Sequence, residues 1–253
     1  MAETKSRCCI VTGAFGGIGQ ALVRELDAAG FAVIATDNAA PCVDLPCRYF
    51  VCVDLARTVE DPSEAERVFS EIRSHLDGRP LAALINNAAV QILGDVETLG
   101  RKDWRRTLDV NLLAPFFWTQ ALLSELEAAH GCVVNIGSIH ARLTKRRFAA
   151  YATSKAALAA LTRSLAIELG GRIRVNAIEP AAIDTPMLRA GFADDPVGLK
   201  VLKAYHPCGA IGSPEALGCL VRMLVEQESV FANGTVMNFD GGISACLHDP
   251  DLL

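Results

Sequence analysis

The side chains with the most distinctive chemistry are Tyr151 and Lys155, in Tyr151-Ala152-Thr153-Ser154-Lys155. At i and i+4 they share one helix face, so the ammonium can sit near the phenol. A free tyrosine ionises near pH ~10, too high for a base at neutral pH. A nearby cation stabilises the phenolate and lowers that value. The same pair also serves elsewhere as an ordinary half-buried Tyr beside a surface Lys, so it needs company. Ser138 supplies some. It follows Asn135-Ile136-Gly137 at the carboxyl end of an apolar run, where ligand sites of open parallel sheets lie. A hydroxyl there can hydrogen-bond a carbonyl oxygen, although a lone serine is as readily a turn or helix cap.

A second group of residues has the chemistry of phosphate binding. Thr12-Gly13-Ala14-Phe15-Gly16-Gly17-Ile18-Gly19 falls between an apolar run and a helical pattern. Glycines there permit a tight turn and close approach to a pyrophosphate, and the helix start offers unpaired N–H groups. The glycines fit two registers, Gly13-x3-Gly17-x-Gly19 and Gly13-x2-Gly16-x2-Gly19. Asp37 lies 18 residues beyond Gly19, close to the ~20 expected for an acid that binds a ribose 2′-hydroxyl. No Arg or Lys stands in the glycine loop or beside Asp37, which favours NAD over NADP.

These residues must be held by a framework, and the hydropathy pattern supplies one. Strand-like runs at 8–12, 31–36, 49–53, 81–86, 132–136, 173–178 and 235–239 alternate with helical patterns at 18–29, 62–76, 103–129, 148–169 and 215–226. Pro115 falls inside the long third helix region, as a bend or a tolerated kink. Continuous apolar strands alternating with helices predict an α/β fold: a Rossmann-type, doubly wound parallel sheet of about seven strands with helices on both faces. The whole chain, 1–253, reads as a single domain. The stretch 185–214, with Pro186, Gly191, Pro196, Gly198, Pro207, Gly209 and Gly212, reads as an irregular lid over a site.

Composition narrows the class. Of 253 residues 51% are hydrophobic and 21% charged, which excludes a disordered chain. With 24 Lys+Arg against 29 Asp+Glu the net charge is −5, so no basic excess exists to bind nucleic acid. No apolar run reaches the ~20 residues of a membrane span. The start, Lys5 and Arg7 before Cys8-Cys9-Ile10-Val11, dissolves into glycines before a signal-peptide core can form. The nine cysteines, including the evenly spaced Cys42, Cys47 and Cys52, lack the histidines or C-x-x-C pairs of a zinc site. They read as reduced, small apolar residues of a cytoplasmic protein, with no metal.

Taken together, these motifs resemble the classical short-chain dehydrogenase/reductase family from Val11 to about Gly242. Asp54-Leu55, Asn86-Asn87-Ala88, Asn111, Arg174-Val175-Asn176, Thr185-Pro186-Met187 and Asp240-Gly241-Gly242 extend the match. The Tyr151–Lys155 spacing differs from that of the enoyl reductase branch. The resemblance implies an NAD-dependent oxidoreductase interconverting a secondary alcohol and its ketone. Tyr151 would be the general acid/base. Lys155 would lower its pKa and bind the nicotinamide ribose. Ser138 would orient the carbonyl, and Asn111 would hold a water in a proton relay.

The implied cofactor contacts are Gly13, Phe15, Gly16, Gly17, Ile18, Gly19, Asp37, Asp54, Leu55, Asn87, Ala88, Tyr151, Lys155, Pro180, Ile183 and Thr185. Gln91, Leu93, His140, Arg147, Ala182, Met187, Leu188 and Phe192 surround the reacting carbonyl by position; Gln91, His140, Arg147 and Met187 are the candidate substrate contacts. Arg142, Lys145, Arg146 and Arg147 form a basic cluster, read either as a solvated loop or as an anion-binding site. Ala89 and Ala181 stand where the family carries glycine, and Ala210 where many relatives carry arginine. Two other readings remain: a catalytically silent nicotinamide-binding regulator or scaffold, and an epimerase or dehydratase with retained cofactor. Family likeness also implies a homo-oligomer, commonly a tetramer.

Overall fold

Short apolar runs, stopped by glycine or by polar residues, build the strands. The computed structural model describes residues 6–40 and 43–247, so Cys42 lies outside the described residues. Its strands are β1 (Cys8–Thr12), β2 (Ala32–Asp37), β3 (Tyr49–Cys52), β4 (Leu81–Asn86), β5 (Cys132–Ile136), β6 (Arg174–Pro180) and β7 (Val236–Phe239). They form one 7-stranded sheet in the order β3-β2-β1-β4-β5-β6-β7. Every neighbouring pair is parallel. β1, β4, β5 and β6 are buried along their whole length; the first three therefore run mostly apolar, whereas β6 carries the buried Arg174, Asn176 and Glu179.

Helices α1 (Gly17–Ala28), α2 (Leu55–Glu60), α3 (Pro62–Leu76), α4 (Arg101–Leu108), α5 (Ala114–Ala121), α6 (Leu123–Ala128), α7 (Ala149–Glu168), α8 (Pro186–Ala190), α9 (Pro196–Ala204) and α10 (Pro214–Glu226) complete the described residues. Alternate strand residues enter two separate cores. Ile10, Ile34, Leu84 and Val133 meet Ile72, Trp118 and Leu165 on one face. Cys9, Val11, Val33, Ile85 and Val134 meet Leu22 and Val221 on the other. No helix among the described residues is long and apolar enough to cross a membrane.

Four details depart from the sequence expectations. The 103–129 region is three helices, not one. A π-turn spans Asp109–Leu113, and Leu122 leaves helical geometry at φ −104°, ψ 9°. Pro115 sits in the first turn of α5, where its missing N–H costs nothing. The short α2, capped by the Asp54 side chain, carries too few residues to show periodicity. The 185–214 stretch is not irregular, because α8 and α9 lie within it, each opened by a capping side chain followed by proline, Thr185-Pro186 and Asp195-Pro196. The cysteines are not uniformly apolar core. Cys8, Cys9 and Cys132 are buried, whereas Cys52, Cys208, Cys219 and Cys246 are exposed.

Beneath the strand ends runs a buried polar chain. Asn86 and Asn135 face each other in register on β4 and β5. Asn86 Nδ2 donates to Asn135 Oδ1 at 2.8 Å, and Asn135 Nδ2 donates to Thr162 Oγ1 of α7 at 2.9 Å. Removing the middle member orphans a buried amide, which costs ~1–3 kcal/mol, and leaves a small cavity. Asn135→Ala should therefore lose roughly 2–4 kcal/mol in urea unfolding. A loss below about 0.5 kcal/mol, typical of a surface change, would show that the chain does not tie α7 to the sheet.

Candidate active site

The strand order reverses between β1 and β4, since β2 and β3 build outward from one side of β1 and β4 to β7 from the other. Ligands of open α/β sheets bind outside the carboxyl ends at such a point. A cavity of about 340 Å³ lies there. Its lining includes Gly13, Gly16, Gly17, Ile18, Gly19, Asp37, Asp54, Leu55, Asn87, Ala88, Thr185 and Met187, all expected from the sequence. It also includes Thr36, Asn38, Val53, Arg106 and Val110, which were not. Val53 and Val110 carry no polar signal, and Arg106 lies in a helix whose face the sequence did not resolve.

Space decides between the two glycine registers. A Cβ on Gly13 would lie 2.8 Å from Ala88 Cα, and Gly13 has φ +63°. One on Gly19 would lie 2.0 Å from the Gly13 carbonyl oxygen, and one on Gly17 2.8 Å from Thr185 Cβ. Gly16 meets nothing nearer than 3.4 Å. The crowded positions are thus Gly13, Gly17 and Gly19. The loop is pinned from outside. Asn87 Nδ2 donates to the carbonyls of Thr12 and Gly13, while the Thr12 hydroxyl accepts from the amides of Asn87 and Ala88. Asp37 accepts from the Phe15 amide through Oδ2 at 2.9 Å and from the Asn38 amide through Oδ1 at 2.8 Å.

These residues fit a dinucleotide. The start of α1 has no side-chain cap, so its N–H groups face an anion's place. The glycines bring backbone within reach, and an acid stands at the end of β2. Asp54 caps α2 and also accepts both contacts of Arg106 NH1, at 2.8 and 2.9 Å.

The proton-handling residues gather at the ends of β5 and α7. Lys155 is 2% exposed, and its Nζ donates to the Ile136 carbonyl at 2.7 Å. The ammonium lies 5.8 Å from the centre of the Tyr151 ring. Burial pulls Lys155 down to about 8. Burial pushes the Tyr151 hydroxyl above its ordinary range, and its hydrogen bond with Ser138 pulls the other way. The sequence expectation that Lys155 depresses Tyr151 is therefore not met in this structure, because desolvation acts on both groups. Asn111 Oδ1 accepts from the Val90 amide at 2.8 Å, and its Nδ2 donates to the Val90 carbonyl and the Ser154 hydroxyl. The side-chain amide thus ties residue 90 to α7.

His140 stacks on Phe148 with centroids 4.3 Å apart, and meets the Tyr151 ring edgewise at 5.7 Å. Burial and the Lys145 ammonium hold it down to about 4, so it is neutral at neutral pH. Pro180 and Ile183 are buried after β6, with Ile183 bridging Gly212. Gln91, Leu93, Arg147 and Met187 are exposed. The basic run does not behave as one solvated loop: Arg142 pairs with the buried Glu179. Arg147 holds φ +73°, a conformation uncommon outside glycine. Its carbonyl accepts from the Gly94 amide at 3.1 Å. Ala89 and Ala181 are absent from the positive-φ residues, so their methyls impose no backbone strain. Among the described residues no cluster of His, Cys, Asp or Glu can hold a metal.

A glycine loop at the switch point, with a Tyr–Lys pair and a serine beside it, defines a dinucleotide-dependent oxidoreductase site. The chain belongs to the short-chain dehydrogenase/reductase family and is an NAD(P)-dependent enzyme of that family. A family model described as enoyl-(acyl carrier protein) reductase matches residues 13–244. The chain is 29% identical to 3beta-hydroxysteroid dehydrogenase 1 of Eggerthella lenta, over 96% of this chain and 95% of that one. Aldohexose dehydrogenase of Thermoplasma acidophilum superposes with a TM-score of 0.88 at 28% identity, covering 99% and 98% of the two chains. A 4-hydroxyisoleucine dehydrogenase complexed with NADH superposes at 0.84 and 27%, covering 96% and 100%.

The buried lysine makes a stability prediction. Its value falls from 10.5 to about 8 on folding. Below pH 8 the folded protein carries a poorly solvated charge. Between about 8 and 10.5 the unfolded chain binds more protons, so stability rises with pH across that window. Lys155→Met should be more stable than the native protein at pH 7, by up to roughly 3 kcal/mol. The gap should close above pH 8. A less stable variant at pH 7 in chemical denaturation would contradict the burial account.

Proposed function

We propose that the protein is an NAD-dependent dehydrogenase/reductase that interconverts a secondary alcohol and its ketone. The observation that carries this reading is the convergence of Ser138, Tyr151 and Lys155 at the ends of β5 and α7, next to the glycine-lined cavity. A binding module needs no such proton-handling group. The unstrained backbone at Ala89 and Ala181 leaves no structural reason to assign a silent nicotinamide binder.

In this reading the glycine loop and the start of α1 bind the pyrophosphate, with Phe15 and Ile18 in the loop. Asp37 accepts the ribose hydroxyls and repels a 2′-phosphate. Arg106, the cavity's one arginine among the described residues, is paired through Nη1 with Asp54, and no other arginine among them lines the cavity to receive that phosphate. Asp54 and Leu55 flank the adenine, Asn87 and Ala88 its ribose, and Pro180, Ile183 and Thr185 the carboxamide. The bound nicotinamide supplies or accepts the hydride.

The protein supplies the proton. Ser138 donates to the carbonyl oxygen and orients it. Tyr151 gives that oxygen a proton in reduction and takes it back in oxidation. Lys155 holds the nicotinamide ribose, and its charge offsets part of the cost of burying the tyrosinate. Asn111 fixes the 90 segment against α7. Neutral His140, with Gln91, Arg147 and Met187 at the mouth, receives the rest of the substrate, and α8 and α9 lie over it as a lid. The steroid, sugar and hydroxy amino acid in the names of the similar proteins differ too widely to choose among them. They agree in carrying a hydroxyl on carbon. The family likeness of the motifs leads us to expect a homo-oligomer, most simply a tetramer.

Nicotinamide absorbance during turnover tests the reading. NAD should be reduced with at least one member of a panel of polyols, aldohexoses, hydroxy acids, hydroxy amino acids, steroids and aromatic alcohols. Tyr151→Phe and Ser138→Ala should each lower kcat by about 10²–10⁴-fold. Turnover that survives Tyr151→Phe would refute the assignment. Asp37→Ser should raise KM for NAD about tenfold while improving use of NADP, and a native preference for NADP would refute the cofactor reading.

A further inference from the structure

Ser138 lies in a turn too short to hold itself. It opens the single 3-10 turn Ile139–Ala141, whose bonds are Ala141 N to Ser138 O at 2.9 Å, Arg142 N and Leu143 N to Ile139 O at 3.1 and 2.9 Å, and the His140 amide to the Ser138 hydroxyl at 3.2 Å. Something outside must fix its two ends, and one residue touches both. Glu179, on β6 with its side chain 1% exposed, receives Arg142 Nε on Oε2 at 2.8 Å. The same side chain fills the space beside Gly137, where a Cβ would lie 3.0 Å from Glu179 Cγ. Gly137 is joined to β6 besides, through its amide to the Ile178 carbonyl at 2.7 Å. Arg142 then reaches β7 by donating to Asn238 Oδ1. Asn238 donates on to Ser244, whose hydroxyl donates to Asp240.

We propose that Glu179 and Arg142 are positioning residues for Ser138: the Glu179 side chain packs its methylene against Gly137 at one end of the 137–142 turn and holds Arg142 at the other through its carboxylate, keeping the serine hydroxyl against Tyr151. Neither side chain touches the reacting atoms. The charge pair suits this task better than packing would. A guanidinium on a carboxylate fixes direction as well as distance, and a buried acid stripped of its partner cannot stay quietly in place. The basic run at 142–147 thereby divides. Arg142, though partly exposed, is tied to β6 and β7, and Lys145, Arg146 and Arg147 have no ion-pair partner of that kind among the described residues. The inference rests on the reading of Ser138 and Tyr151 as a proton-handling pair, and its test separates the two.

The test uses Arg142→Ala, Arg142→Lys, Glu179→Gln, Ser138→Ala and Tyr151→Phe in the full chain. The first readout is ultraviolet difference titration of tyrosinate, with the Tyr151→Phe curve subtracted to isolate residue 151. It needs no substrate. In Arg142→Ala and Glu179→Gln the Tyr151 midpoint should move upward to where Ser138→Ala places it, with Arg142→Lys between these and native. The second readout is NADH binding by fluorescence, which should stay within about twofold of native because the glycine loop is untouched. The third is turnover on the best member of the panel. There kcat should fall by about 10–100-fold, as expected when a catalytic hydroxyl shifts by about an ångström.

Native midpoints and native kcat in folded Arg142→Ala and Glu179→Gln would overturn the proposal. So would an equal loss of NADH affinity, which would mean general disruption. If Arg142→Ala does not fold, Glu179→Gln and Arg142→Lys decide the matter alone. Should Ser138→Ala itself leave the Tyr151 midpoint and turnover unchanged, the site reading has failed rather than the clamp.

Discussion

The interaction on which the site depends is the burial of Lys155. An ammonium taken out of water costs several kcal/mol unless it finds strong partners. Here the hydrogen bond to the Ile136 carbonyl, at 2.7 Å, is what holds it. That bond requires β5 to end where it does, with its last carbonyl turned toward α7. It requires α7 to run close past the strand end, which its alanine-rich sequence permits. The two helical turns that place Lys155 also place Tyr151 on the same face. The Asn86–Asn135–Thr162 chain then locks α7 to the sheet. A residue that weakens the fold is thus kept at the point where the chemistry is proposed, a common bargain in enzyme sites.

The second constraint is topological. Reversing the strand order between β1 and β4 opens a cleft at their carboxyl ends. The glycine loop at its rim packs closely against its neighbours. Gly13, Gly17 and Gly19 lack room for a Cβ, and Thr12 and Asn87 stitch the two loops together. The cofactor cleft and the Tyr–Lys pair lie on neighbouring strand ends, so one rigid sheet edge positions both.

Much of this was legible in the sequence, for physical reasons. Short apolar runs stopped by glycine or polar residues mark strands, so all seven could be read within one or two residues. Residues whose roles depend on local geometry were also legible: the i, i+4 pair, the glycine loop and the acid after β2. What depended on distant partners was not. The glycine register was ambiguous on paper, because the crowding that separates Gly17 from Gly16 comes from the distant Thr185 and Pro186. The π-turn at Asp109–Leu113 leaves no periodic trace, and the bonds of the Asn111 side chain to residue 90 and Ser154 were not legible either. α2, α8 and α9 are too short to show an amphipathic stripe, although the cap-and-proline starts of α8 and α9 were in plain view. Arg142 looked like one of four surface cations. Its partner Glu179 lies 37 residues away, and nothing near either residue announces the pair.

The most direct test of the central claim is the titration of Lys155 itself, by NMR of protein carrying isotope-labelled lysine, with Lys155→Met to assign the signal. One resonance should titrate near pH 8, far below the ordinary lysine value, and should vanish in the variant. If every lysine titrates near 10.5, Lys155 is solvated, and the site is not built around a buried charge.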